Sequence, residues 1–206
     1  MALKIDKKKV SFGKAARAYK SFLTHLGFDV DNLPHMKDTP ERVVRMYVNE
    51  LFSGCYNEPP HITAFDDKSI TGGSQMVFSG PLDVRSMCSH HMLPISGFAF
   101  VGILFDPTKT LPGLSKYARI VNHYSSMPQV QENLVQQIAD HLMAEIDDVE
   151  GVGVTIQSKH FCMSHRGVKN SNAWMINTAL RGKFELASVK AEFQSNIDQV
   201  SRFRSL

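Results

Sequence analysis

The sequence predicts an α+β protein, and three patterns support this fold class. Apolar residues recur at helical spacing in the first third of the chain, strand-like segments occupy much of residues 75–105, and a helical pattern after residue 128 leads into an alternating strand. We therefore expect residues 1–57 to form an N-terminal helical region and residues 58–206 to form a domain of strands and helices.

Composition excludes several classes of protein and partner. The 206 residues are enough for a sizeable core, and 43% hydrophobic and 21% charged residues are ordinary for a globular protein. A net charge of +3 is too small to indicate nucleic-acid binding, so any anion site must come from a local cluster of Lys and Arg. No apolar run approaches membrane length, and three sparse cysteines do not suit a secreted disulfide scaffold. We expect a cytoplasmic protein with reduced thiols.

Each element follows from a local signal. Helical spacing predicts a first helix over residues 13–26, and Thr39 as N-cap with Pro40 in the first turn predicts the start of a second. The run at 97–105 is continuous, apolar and aromatic, which indicates a strand buried on both faces. The other predicted strands cover 75–78, 82–87, 152–156 and 174–184, and the other predicted helices cover 114–125, a segment after Pro128, and 186–203.

A thiol and two imidazoles lie close together near the end of a predicted strand. Cys88 and His91 have the C-x-x-H spacing at which two side chains of a tight turn can hold one Zn²⁺. His90, between them, points elsewhere and is free for proton transfer. This is half of a metal site, so further ligands must come from elsewhere in the chain.

The missing ligand is expected at the end of a later strand. Continuing the period of two from Val152 places His160 and Cys162 on the apolar face of that strand. Cys88, His91 and Cys162 would then provide three ligands and leave the fourth position to water, as in a catalytic zinc site. His160 would remain as a second unligated imidazole that can move protons.

The alternative is that these side chains merely pack. A lone buried cysteine is more often a small apolar side chain than a ligand, and Cys55 is interpreted in this way. Each of the two segments above adds histidines to its cysteine, and this combination favours a metal site. The other histidines lie in helix or loop contexts and are interpreted as structural or solvated.

Polar residues in the middle of the chain suggest a ligand of another kind. A hydroxyl, an ammonium and a guanidinium near a helix start, from Ser115, Lys116 and Arg119, suit a polyphosphate, and Arg166 could add a second guanidinium. The alternative is a solvated helix face. At the next helix start, Gln131 and Glu132 could pair with the ring N–H and amino group of a guanine, although Glu132 could equally complement the helix dipole.

Taken together, these motifs resemble the GTP cyclohydrolase I family, and the resemblance runs from about residue 38 to residue 184. The motifs that carry it, in chain order, are Asp38-Thr-Pro-Glu-Arg42, Cys88-Ser-His-His91, Gly113-Leu-Ser-Lys116, Pro128-Gln-Val-Gln-Glu132 and His160-Phe-Cys-Met-Ser-His-Arg-Gly167. The family usually has Glu where this chain has Ser89 and Arg where it has Met127.

The resemblance implies a tunnelling fold, an antiparallel sheet with helices packed on one face, assembled into a ring that is typically a homodecamer with sites between subunits. It implies a hydrolase acting on cyclic amidine C–N bonds, which converts GTP and water to 7,8-dihydroneopterin triphosphate and formate after metal-activated water attacks carbon 8 of guanine. It assigns zinc to Cys88, His91 and Cys162, proton transfer to His90 and His160, and the later ribose rearrangement to Ser115. It assigns the triphosphate to Lys116, Arg119 and Arg166, and guanine recognition to Gln131 and Glu132.

Three rival functions make different demands on the sequence. A non-catalytic zinc- and purine-binding protein of the same fold would have a fourth protein ligand or lack the two free histidines. A zinc deaminase would need a C-x-x-C motif, which this chain does not contain. A nitrile reductase of deazaguanine synthesis would need a nucleophilic cysteine and no zinc, and the Cys88–His91 pair argues against it.

Overall fold

The computed structural model describes residues 3–65, 72–106, 111–113 and 115–203, and the chain divides into two compact units, residues 2–58 and residues 59–206. Within the described residues, no helix is both long enough and apolar enough to cross a membrane.

The first unit is helical. Its core contains Ala16 of the first helix and Val44 and Val48 of the second, all less than 9% exposed. The two predicted helices are confirmed, although the second begins at Thr39 itself and continues through a π-helical turn at Tyr47–Leu51. The elements are a 3₁₀ turn at Lys7–Lys9, α1 (Phe12–His25), α2 (Thr39–Met46) and α3 (Ser53–Tyr56).

The second unit is built around a five-stranded sheet with the strand order β5-β2-β3-β6-β7. The strands β2, β3, β6 and β7 pair antiparallel, and the two-residue β5 adds to β2 in parallel. A separate two-stranded sheet joins β1 and β4. The elements are β1 (Ala64–Phe65), β2 (Gln75–Cys88), β3 (Pro94–Phe105), β4 (Leu111–Pro112), α4 (Ser115–Ser125), β5 (Pro128–Gln129), α5 (Gln131–Glu145), β6 (Val149–His160), α6 (Phe161–Ser164), β7 (Met175–Gly182), a 3₁₀ turn (Lys183–Glu185) and α7 (Ala187–Phe203).

The two faces of the sheet are covered by different helices. On one face, fully buried branched residues such as Val101 and Val154 pair across β3 and β6, and α5 packs against β6. On the other face, Phe193 of α7 and Phe184 pack over Gly153. The predicted antiparallel sheet and the α+β class are confirmed, and α7 adds a helix on the face opposite α5.

The predicted elements differ from the structure in detail. The segments at 75–78 and 82–87 form one strand, β2, whose pairing register with β3 shifts between Ser79 and Leu82. The buried strand at 97–105 is confirmed as part of β3, which begins three residues earlier. Leu114, the predicted first residue of a helix, lies outside the described residues, and α4 is described from Ser115.

Aromatic rings approach β6 so closely at Gly153 that a larger residue would not fit there, and this can be tested. A Cβ added at Gly153 would lie 2.4 Å from Cδ1 of Phe184 and 3.2 Å from Cε1 of Phe193. Because both rings are buried, we expect Gly153→Ala to lower the free energy of unfolding by about 1–3 kcal/mol, the usual cost of overpacking. Thermal denaturation followed by circular dichroism would measure this. Gly73→Ala is the matched control, because none of the described residues comes within 4 Å of its added Cβ. Equal effects of both changes would contradict the packing argument.

Candidate active site

One end of the sheet brings the candidate residues together. β2 ends at Cys88, where the chain reverses through a turn in which Met92 N–H donates to the Cys88 carbonyl and Cys88 N–H donates to the Leu93 carbonyl. β3 follows, and its Ile95 pairs with His160, the last residue of β6. The antiparallel pairing therefore puts the end of β2 and the end of β6 on either side of the start of β3.

Two thiols and an imidazole meet at this end of the sheet. The ligand atoms of Cys88, His160 and Cys162 all lie within 4.8 Å of one another. Cys88 is buried, and the other two side chains are partly buried. Thiolate sulfur and imidazole nitrogen are the ligands that zinc takes in proteins, so the donor set fits a zinc ion.

The surroundings of Cys162 favour its protonated form. Burial raises the pKa of the Cys162 thiol above its ordinary value, and a hydrogen bond with Cys88 raises it further. The positive charge of Arg166 opposes this shift. Since only a thiolate binds a metal, ion binding at this pair must displace thiol protons.

His160 is held by a buried amide. Oε1 of Gln131 lies 2.7 Å from Nε2 of His160 and 2.6 Å from Oγ of Ser158, which donates to it. Burial lowers the pKa of His160, and the negative charge of Glu132 opposes that shift. The neutral imidazole is therefore the favoured form, and this form can accept a proton.

His90 and His91 occupy the exposed turn after Cys88. Their rings lie 6.5 Å apart, edge to face. The guanidinium of Arg166 donates from Nη1 to Nε2 of His91 at 3.0 Å. The structure thus brings the predicted ligands Cys88 and Cys162 together. The imidazole that lies with these two thiols is that of His160. The imidazole of His91, the third predicted ligand, instead contacts Arg166.

The residues predicted to bind a nucleotide lie in different surroundings. Ser115, Lys116 and Arg119 occupy the first turns of α4, and among the described residues their side chains form no hydrogen bond or ion pair. Glu132 is exposed in the first turn of α5, and its charge acts on His160. Gln131 is fully buried, with internal partners for its whole amide, so the structure does not present this side chain to a guanine.

Two features were missed or misplaced by sequence reasoning. Cys162 does not continue the strand, because β6 ends at His160 and Cys162 lies in the short helix α6. Ser158 was not singled out, although it lies two residues before His160 on the same face. A hydroxyl on an apolar strand face must find a hydrogen-bond partner, and that requirement could have identified it.

The fold and site define an α+β protein with a Cys₂His group at one end of its sheet that could hold a metal ion. The chain belongs to the GTP cyclohydrolase I family, whose family model matches residues 15–198. The enzyme class predicted from the sequence is thereby confirmed, and the family implies GTP as its substrate.

Known proteins agree with this assignment over most of the chain. GTP cyclohydrolase 1 of Streptomyces griseus subsp. griseus is 38% identical over 186 residues, which is 89% of each chain. GTP cyclohydrolase 1 of Dehalococcoides mccartyi strain BAV1 is 37% identical over 182 residues, covering 88% of this chain and 94% of that one. Among solved structures, a dihydroneopterin aldolase from Burkholderia thailendensis bound to guanine covers 53% of this chain and 92% of its own, at 16% identity and a TM-score of 0.36, a similarity too low to carry an argument.

Proposed function

We propose that this protein converts GTP and water to 7,8-dihydroneopterin triphosphate and formate, using zinc bound by Cys88 and Cys162. The observation that carries the proposal is that these two thiols, from different elements, lie together beside the imidazole of His160, which is hydrogen-bonded to Gln131. The chain that contains this group belongs to the GTP cyclohydrolase I family. Zinc held by such ligands supplies hydroxide near neutral pH. Both cysteines must be reduced to bind it, which fits the cytoplasmic location expected from the sequence.

The third ligand in this proposal is His91. Its support is the C-x-x-H spacing across the turn that starts at Cys88, together with the family resemblance. His160 is the alternative ligand, because its ring already lies with the two thiols. The two assignments differ in which histidine the metal needs, and this difference can be measured.

We assign proton transfer to His160 and His90. Burial keeps the pKa of His160 below its ordinary value, so the ring can accept a proton during opening of the imidazole ring of guanine. His90 is exposed in the turn beside Cys88, where it can exchange protons with solvent. Ser115, exposed at the start of α4, is assigned to the ribose rearrangement on the family resemblance.

Basic side chains suit the triphosphate. Lys116 and Arg119 lie near the amino-terminal end of α4, where the helix dipole also favours an anion. Arg166 lies next to the proposed metal ligands, within hydrogen-bonding distance of His91. We assign guanine recognition to the exposed carboxylate of Glu132 rather than to the buried Gln131.

We propose that the protein assembles into a ring of identical copies. The family resemblance implies that the ring is a decamer. Across β2, β3, β6 and β7 the strands alternate in direction, so β7 of one copy would lie antiparallel to β2 of the next. In the described part of the chain, the outer side of β7 pairs with no strand, and β2 has an outer partner only at Met87 and Cys88. Ile176 in β7 and Trp174 just before the strand are 60% and 52% exposed. A head-to-tail contact of this kind forms a ring when the repeated rotation between copies closes on itself.

Turnover is the direct test of the proposal. Purified protein incubated with Zn²⁺ and GTP is expected to release formate and to give a product that fluoresces as a pterin after oxidation. Formate assay and chromatography of the oxidised product would measure both. Cys162→Ala should give neither product above background, because it lacks one thiolate ligand. A zinc-loaded wild-type oligomer that gave neither product would contradict the assigned reaction.

Metal content separates the ligands from the proton carriers. Cys162→Ala and His91→Ala are expected to lose zinc, whereas His160→Ala should keep zinc and lose about 10²–10⁴-fold in turnover, the range for a general acid–base group. Zinc per chain would be measured by mass spectrometry after gel filtration. Cys55→Ala is the matched cysteine control and should keep zinc, because Cys55 is buried in the first unit. Zinc loss from His160→Ala with retention in His91→Ala would make His160 the third ligand.

The ring proposal predicts the effect of a charge at the sheet edge. Ile176→Glu is expected to reduce the oligomer to smaller species, because it places a carboxylate in an apolar contact between copies. Light scattering coupled to gel filtration would measure the mass. Leu186→Glu, at a residue that is 55% exposed and lies outside β7, is the control and should leave the mass unchanged. An unchanged mass for both variants would argue against the β7 edge as the contact.

A further inference from the structure

We propose that Gln131 is a positioning residue that fixes the ring of His160 in one tautomer, with the proton on Nε2 and the lone pair on Nδ1. The tautomer assignment stands on hydrogen bonds alone. Its consequence for turnover rests on the proposed function, in which His160 moves protons.

The orientation of the Gln131 amide is determined by two carbonyl groups. Nε2 of Gln131 lies 3.1 Å from the carbonyl oxygen of Ile156 and 3.1 Å from that of Met175. Carbonyl oxygens only accept hydrogen bonds, so the atom facing them must be the amide nitrogen with its two hydrogens. The amide oxygen must then face the other way, towards Ser158 and His160.

The orientation of the amide in turn determines the tautomer of the histidine. Oε1 of Gln131 has two lone pairs and no hydrogen, so both of its partners must donate. Oγ of Ser158 donates at 2.6 Å, and Nε2 of His160, at 2.7 Å, must therefore carry a hydrogen. In the neutral ring this leaves the lone pair on Nδ1, the nitrogen that can accept a proton.

The amide is fully satisfied and out of contact with solvent. Gln131 is 0% exposed, as is Ser158, and the two amide hydrogens and two oxygen lone pairs of Gln131 are all used by protein groups. A contact from this side chain to a substrate would have to break one of these buried bonds, which would leave a polar group unpaired at a cost of about 1–3 kcal/mol. Gln131 therefore acts on the reaction through His160.

Kinetics distinguish this role from guanine recognition. Gln131→Met keeps the length of the side chain and removes its hydrogen bonds. We expect it to lower kcat by about 10–100-fold, the effect of a misplaced catalytic group, with KM for GTP within about threefold of wild type. In a His160→Ala background the same change should have no further effect on kcat, because two residues that act as one unit are not additive.

A second buried glutamine provides the matched control. Gln129 is 3% exposed, and its amide donates to the Tyr124 carbonyl and to Gln137, with no contact to His160. Gln129→Met removes a buried amide of the same kind and should leave kcat and KM for GTP within about threefold of wild type. A raised KM for GTP in Gln131→Met with unchanged kcat would overturn the positioning role, and so would independent, additive effects of Gln131→Met and His160→Ala.

The tautomer has a spectroscopic test that does not depend on turnover. Nitrogen-15 NMR of zinc-loaded protein labelled in its histidine rings, with the His160 signals assigned by their absence in His160→Ala, should show a protonated Nε2 and an unprotonated, metal-free Nδ1. The Gln129→Met spectrum should keep this pattern, and the Gln131→Met spectrum should lose it. A protonated Nδ1 in the wild-type protein, or an unchanged pattern in Gln131→Met, would overturn the inference. A correct tautomer in a protein that releases no formate would instead count against the proposed reaction alone.

Discussion

The antiparallel register of β2, β3 and β6 is the constraint on which the site depends. Cys88 and His160 are far apart in sequence, and they meet because both strands end beside the start of β3. A slip of one residue in the β3–β6 pairing would turn His160 and Ser158 to the opposite face, because side chains alternate along a strand. The buried pairing of Val101 with Val154 in the middle of the sheet opposes such a slip. The packing of the sheet core therefore sets the positions of the chemical groups at its edge.

Much of this arrangement could be predicted from local patterns, and the remainder depends on contacts that a pattern does not contain. The period of two in β6 placed His160 on the buried face, and the C-x-x-H spacing placed Cys88 and His91 at a turn. The position of Cys162 in α6 was not predictable from the same period, because β6 ends at His160, before Cys162 is reached. The internal role of Gln131 was not predictable either, since its carbonyl partners belong to two later strands. The face that α7 covers depends on which face of the sheet α5 leaves open. Tertiary packing determines this, and a local sequence pattern does not contain it.

Ser89 and Met127, where the resemblance described above leads us to expect Glu and Arg, can each be interpreted from their surroundings in the structure. The backbone N–H of Ser89 donates to the Gln129 carbonyl, a bond that continues the β2–β5 contact and does not depend on the side chain. A serine there can keep the turn intact while removing a carboxylate from beside the thiols. Met127 is 2% exposed, and its carbonyl accepts a bond from Ser86. An apolar side chain suits that buried position, because a charged one would need a partner there.

The bond from Gln131 to Met175 links two parts of the molecule that have been described separately. Met175 is the first residue of the edge strand β7, and the same amide that binds its carbonyl also binds the ring of His160. Any displacement of the start of β7 away from β6 must lengthen a hydrogen bond of that amide or rotate it. The position of the sheet edge and the orientation of the histidine ring are therefore not independent degrees of freedom. A displacement at the rim of the sheet therefore acts on the imidazole through the Gln131 side chain as well as through the β6–β7 pairing.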